Sequence, residues 1–231
     1  MLDISKRKEF LHKKFFESHG VTPSQVSAPK RAKMWSIVFD EILPKIIDDK
    51  PDRSNMINKL FDRFNDQITP FVIELKKKSM LNDSNIYEMS RAQTLSSANA
   101  ITRSVSTKLG LFWEDVANLS NNVVSTELEF GIKIQGVDVI TFHNNNLYYT
   151  QLKTQKNTLT GSQADRVNDE LGIFNHSWFV ACIKNNSSWT YSGKTPRLLG
   201  EEYWSKTTIK YNDLLDNLYN TIQNVEKLAN S

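Results

Sequence analysis

Asp138, Gln151 and Lys153 put a carboxylate, an amide oxygen and an ammonium into one short stretch of the chain. Together they suit metal-assisted hydrolysis of a phosphodiester. That reaction needs a divalent cation to neutralise developing charge and acidify water, with a cationic group nearby to orient the water or stabilise the transition state. Asp138 offers a hard anionic oxygen for Mg²⁺, Gln151 a neutral carbonyl oxygen, and Lys153 the cation. The same residue types also make ordinary solvent-facing ion pairs, so the elements that carry them decide whether they meet.

Residues 132–142 are rich in β-branched and aromatic side chains, the run Asn144-Asn145-Asn146 interrupts them, and Leu147-Tyr-Tyr-Thr-Gln-Leu-Lys153 resumes the same character. This pattern predicts a β-hairpin. Asparagine tolerates positive φ, so a two-residue type I′ loop fits the run. With Asn145-Asn146 at the tip, Asp138 faces Lys153; with Asn144-Asn145, Asp138 faces Gln151. Either even loop places all three polar groups on one face, because strand side chains alternate. Leu152 then points the other way, into the core.

Gly136-Val-Asp138 and Gln151-Leu-Lys153 resemble the PD-(D/E)xK nuclease superfamily, and most of all its type II restriction endonucleases. Gln151 stands where the family usually carries a second acid, which removes one negative charge from the metal's surroundings. Some restriction enzymes of the superfamily carry an amide there too. Gly200-Glu-Glu-Tyr-Trp204, with the helix-like segment 212–222, is similar to a glycine-x-x-aromatic-tryptophan segment and helix near the end of several such enzymes. Lys153 to Thr160, leading into Ser162-Gln-Ala-Asp, resembles the turn and helix that follow their catalytic lysine. The resemblance covers roughly residues 95 to 225.

It implies an α/β fold, a restriction-endonuclease-like core with a small mixed central sheet flanked by helices, and Mg²⁺-dependent, site-specific cleavage of double-stranded DNA. Symmetric DNA sites favour a two-fold protein, so a homodimer is expected. A companion DNA methyltransferase would protect the host. Two other readings stand beside this one: a repair or structure-specific nuclease of the same superfamily, and a DNA-binding protein whose catalytic site has degenerated.

Between Ser97 and Leu119, apolar residues at 101, 105, 109, 112, 116 and 119 predict an amphipathic helix. Arg103, Thr107, Gly110 and Glu114 fall on another stripe, and Gly110 would let that stripe approach a second backbone closely. The resemblance places a helical glutamate beside the first catalytic strand. Glu114 is the matching position, as a third metal acid or as a plain surface ion pair; Glu127 and Glu129 are held in reserve.

Lys153, Lys156 and Arg166 cluster around the proposed site in sequence, joined by Lys184, Lys194 and Arg197. Gln155, Asn157, Thr158 and Gln163, interleaved with them, can meet base edges while the cations hold phosphates. For any single one of these, a solvated polar side chain is the simpler account. Lys6-Arg-Lys8 and Lys76-Lys-Lys78 read as polar faces of helices.

At 231 residues with 39% hydrophobic and 24% charged, the chain reads as one soluble domain, residues 1–231. Within it, residues 1–95 form a helical subregion and 96–231 the core that carries the chemistry. Helices are predicted at 34–47, kinked or restarted at Pro44, at 56–64 and from Pro70; later come a helix to about 173, a strand at 177–184 and a helix at 211–228. There is no apolar run of bilayer length and no secretory stretch at the charged start, so no membrane partner and a cytoplasmic, prokaryotic setting are expected. Cys182, the single cysteine, reads as a buried strand residue and excludes an internal disulfide or a multi-cysteine zinc site. His12, His19, His143 and His176 form no ligand set, and nucleophile-elbow and Walker sequences are missing.

Overall fold

The computed structural model describes residues 3–77, 85–155, 161–185, 191 and 193–230. Up to residue 118 the described chain is helical: α1 (Ile4–His19), α2 (Ala28–Asp48), α3 (Ile57–Lys77), α4 (Ile86–Met89) and α5 (Gln93–Asn118). The rest alternates: β1 (Val123–Val124), α6 (Thr126–Phe130), β2 (Val139–His143), β3 (Asn146–Lys153), α7 (Gly161–Leu171), β4 (Ser177–Ala181), β5 (Arg197–Leu199), α8 (Glu201–Trp204) and α9 (Tyr211–Asn230). The protein is α/β, with a mixed sheet flanked by helices and a helical N-terminal half. Among the described residues no helix is long and apolar enough to cross a membrane.

Two compact units divide the chain. One comprises residues 1–54 and 113–209, the other 55–112 and 210–231, so each takes residues from both sides of position 95. The second unit is built from α3, α4, most of α5 and α9. Its core includes Phe61, Phe64, Ile68 and Val72 of α3, with Phe112 edge-on to Phe61 at 4.8 Å between ring centroids. Pro70 does not start a new helix; α3 runs through it. Ile68 and Val72, 1% and 0% exposed, hold the helix on its core across the lost backbone donor. Gly110 has open space around it rather than a neighbouring backbone.

The first unit holds the sheet. Strand order is β1-β2-β3-β4-β5, antiparallel through β3 and parallel from β3 to β5. Ile140 pairs with Tyr149 and Phe142 with Leu147, so these side chains share a face, and Gln151 continues it beside Phe179 of β4. That face packs on Leu11 and Phe15 of α1, Trp35 and Phe39 of α2, and Val167 and Leu171 of α7. Tyr149 pins α2 to the sheet, its hydroxyl donating to Ser36 O at 3.0 Å and Asp40 Oδ1 at 2.8 Å.

Leu152 lies on the opposite face, 4% exposed. Trp204 of α8 donates its Nε1 to Cys182 O at 2.8 Å, and the Tyr203 hydroxyl meets Thr141 Oγ1 at 3.2 Å. The Gly-x-x-aromatic-Trp segment thus anchors beneath the sheet. Cys182 is fully buried, one residue beyond β4, which closes at Ala181 rather than reaching 184.

The first hairpin strand is shorter than its composition suggests. Ile132 to Val137 bends through a tight turn, with Ile134 and Val137 bridged and buried, and β2 begins only at Val139. Gly136 sits at the third position of that turn with φ +77°, the place where type II turns take glycine. A Cβ there would lie 2.5 Å from Glu170 Cβ on α7. Gly136→Ala is therefore expected to destabilise the fold by about 2–4 kcal/mol, through the unfavourable φ and the overlap together. Urea unfolding measures this, and a loss under about 0.5 kcal/mol would remove the turn from the account.

Candidate functional site

Asn144 and Asn145 both have positive φ, 48° and 60°, as a type I′ turn requires. His143 accordingly pairs with Asn146, and the register runs back to Val139 against Thr150. The paired register stops at Val139, and Asp138 lies just before β2, where the regular ladder is broken. Of the two even loops open from sequence, the one at Asn144-Asn145 is adopted. Asp138 N donates to Thr150 O at 3.0 Å, and Asp138 Oδ2 accepts from Leu152 N at 2.6 Å, beyond the end of β2. One carboxylate oxygen is thus spent on fixing the side chain.

Gln151 Oε1 is buried and has no hydrogen-bond partner among the described residues. A buried carbonyl oxygen left unsatisfied costs roughly 1–3 kcal/mol. Lys153 follows two residues on, on the same face, and its charge favours the ionised form of Asp138.

Glu114, near the end of α5, belongs to the same cluster. Burial pushes its carboxyl up to about 7, and the negative charges of Asp138 and Glu127 push the same way, against a hydrogen bond from Ser125 Oγ at 3.3 Å and the Lys133 charge. Asp138 is also raised above the usual carboxylate range, by burial first and by Glu170 second in that direction; the Leu152 hydrogen bond, Lys153 and Lys133 oppose the shift. The Asp138 charge thus disfavours ionisation of Glu114.

Glu129 shows the contrasting arrangement. Burial pushes it up, but hydrogen bonds from Asn118 Nδ2 at 3.1 Å and Arg7 Nη1 at 2.8 Å outweigh that, and its carboxyl sits below the ordinary value. It is a satisfied structural acid. Glu127 pairs with Lys133 at 3.0 Å and stands close enough to Glu114 for its charge to be felt.

The donor set fits a hard divalent cation: the carboxylates of Asp138 and Glu114 and the unpartnered oxygen of Gln151 are all oxygen ligands. Among the described residues no group of three or more His, Cys, Asp or Glu is assembled for a metal. The histidines serve elsewhere: His19 Nε2 meets Met34 O at 2.9 Å, His12 packs on Trp35, and His143 and His176 flank Tyr148.

The candidate DNA contacts divide. Lys156, Asn157 and Thr158 lie outside the described residues, and nothing is described of the Gln163 side chain. Gln155 Oε1 accepts from Asn185 Nδ2 at 3.2 Å. Arg166 Nε donates to the buried Glu170 at 2.8 Å, and Arg197 Nη1 to Tyr191 O at 2.8 Å, so both guanidinium groups have intramolecular roles. Lys184 and Lys194 are exposed. Sequence reasoning missed Lys133 and Glu170. Lys133 alternates with buried Ile132 and Ile134 and reads as an ordinary outward residue, while Glu170 reaches the site only through the close approach of α7 to Gly136.

The folded chain keeps a proton on Glu114 that the unfolded chain gives up near the ordinary value of 4.5. The associated stability is fully present below that value and is lost as pH rises through about 7. Glu114→Gln, which fixes the neutral form, is expected to match the parent near pH 4 and to exceed it near pH 8 by on the order of 1–3 kcal/mol. Urea titrations at both pH values, without divalent cations, measure the difference; a gap independent of pH would contradict it. Comparison of the chain with protein-family models, with curated proteins and with solved structures gives no match.

Proposed function

We propose that this chain is a Mg²⁺-dependent endodeoxyribonuclease of the type II restriction class, cutting double-stranded DNA at a short sequence as a homodimer in a prokaryotic cytoplasm. Its mixed sheet would then be a restriction-endonuclease-like core, and a DNA methyltransferase its functional companion. The observation that carries the proposal is the buried, unpartnered oxygen of Gln151, with Lys153 on the same face of β3 and the Asp138 carboxylate bonded to the N–H of Leu152 between them.

In this reading Asp138, Gln151 and Glu114 hold the metal ion. The ion, when bound, lowers the pKa of a water and neutralises charge on the phosphate. The chain's own groups do the rest. The Leu152 N–H fixes the Asp138 carboxylate through a 2.6 Å hydrogen bond, so that the donor is oriented before any ligand arrives. The Lys153 ammonium, beside Asp138, orients the attacking water or takes up charge on the phosphate oxygens. Two raised carboxyls in one partly buried cluster are the pattern expected where function, rather than stability, sets the arrangement.

One observation favours the degenerate, DNA-binding reading: the described residues assemble no metal cluster of three His, Cys, Asp or Glu. A nuclease of the repair or structure-specific kind would share the chemistry and differ in what it cuts. Digestion of plasmid DNA with Mg²⁺ and with EDTA separates the three: discrete fragments support the restriction reading, smears or junction-dependent cuts the repair reading, and no cleavage with retained binding the degenerate one.

Lys153→Ala is expected to lower the cleavage rate at least about 10²–10³-fold while leaving gel-shift binding of DNA intact. Gln151→Glu, which restores an acid, is expected to lower the Mg²⁺ concentration needed for half-maximal rate. Undiminished turnover by the alanine variant would take Lys153 out of the mechanism.

A further inference from the structure

A cavity of about 330 Å³ lies in the sheet-bearing unit, away from Asp138, walled by Phe10, Leu11, Ile46, Val124 and Phe130. Its charged lining is uneven. Arg7, Lys50 and Arg53 face Asp49 and Glu129, which leaves one positive charge in excess.

Most of these groups are already committed. Arg7 is bound to Glu129, through the Oε2 contact at 2.8 Å and a second bond to Glu129 O at 3.1 Å. Glu129 Oε1 takes a further bond from Asn118. The Lys50 ammonium donates to Asn118 O at 2.7 Å, to Ser120 O at 2.8 Å and to Val123 O, which closes off the end of α5. Three protons meet three carbonyls. Among the described residues the Arg53 guanidinium is the one cation of this group with no hydrogen bond or ion pair, as Asp49 is the one acid, and the Arg53 charge acts unfavourably on Lys50.

We propose that this cavity binds a small amphipathic monoanion, a single carboxylate head on an aliphatic body, with Arg53 holding the head. The apolar wall excludes water and makes the pairing with a guanidinium worth more than it is in solvent. The single excess charge favours one negative group over none or two. At roughly 30 Å³ per water-sized group, the space takes about ten to twelve heavy atoms. An eight-carbon carboxylate fits that limit. The site is independent of the nuclease reading, so its failure leaves that reading untouched.

Isothermal titration of the full chain with octanoate and with octanamide tests it. One saturable octanoate site is expected, at least tenfold tighter than octanamide. Arg53→Ala should lose at least tenfold in octanoate affinity with octanamide unchanged, and Arg53→Lys should recover part of the loss. Thermal melts of both variants establish that they fold. No saturable octanoate binding by the parent, equal affinity for the acid and the amide, or an Arg53→Ala variant that binds octanoate as the parent does, would each overturn the proposal.

Discussion

The register of one hairpin carries the rest of this structure. Side chains alternate across a strand, so a slip of one residue between β2 and β3 would turn Gln151 and Lys153 to the face that holds Leu152 and put Leu152 where they stand. Two features prevent it. The asparagine pair at the tip adopts the positive φ values of a two-residue loop, and Tyr149, on the site's face of β3, is tied to α2 by hydrogen bonds to Ser36 and Asp40. The same alternation that buries Ile140 and Tyr149 against α1 and α2 sets Gln151 and Lys153 on that face of β3, while Asp138, just before β2, is fixed by the N–H of Leu152.

Charge balance distinguishes this cluster from Glu129, another acid of the same unit. Glu129 is met by a guanidinium and an amide and sits below the ordinary carboxylate range. Glu114 and Asp138 are raised, each burdened by burial and by neighbouring negative charge. A fold gains nothing from keeping two such groups together unless something binds them, because each half-buried charge without full compensation costs stability. Lys133 and Lys153 offset part of that cost without closing the cluster.

Much of this was legible in the sequence, for physical reasons that differ from element to element. Period-2 patterning and three consecutive asparagines specified the hairpin and its even loop, and helical spacing located α5 and with it Glu114. What patterning could not reveal depended on tertiary contact. Residues 132–137 have strand composition but bend, because Gly136 allows a turn that lets Glu170 of α7 press close. Pro70 reads as a helix start by local rule, whereas burial of Ile68 and Val72 carries α3 through it. Arg166 and Arg197 look like free cations in the sequence, and their partners, Glu170 and Tyr191 O, are brought to them by the fold.

Each compact unit is assembled from two separate stretches, and α5 is divided between them at Phe112 and Trp113. During synthesis, α3 and most of α5 leave the ribosome long before α9, to which α3 belongs as a packing partner, has been made. The helical unit cannot close its α3–α9 packing until residues 211–230 have been made. Such a nascent chain is a natural client for chaperones that shield apolar helices, and maturation of its helical unit waits on α9.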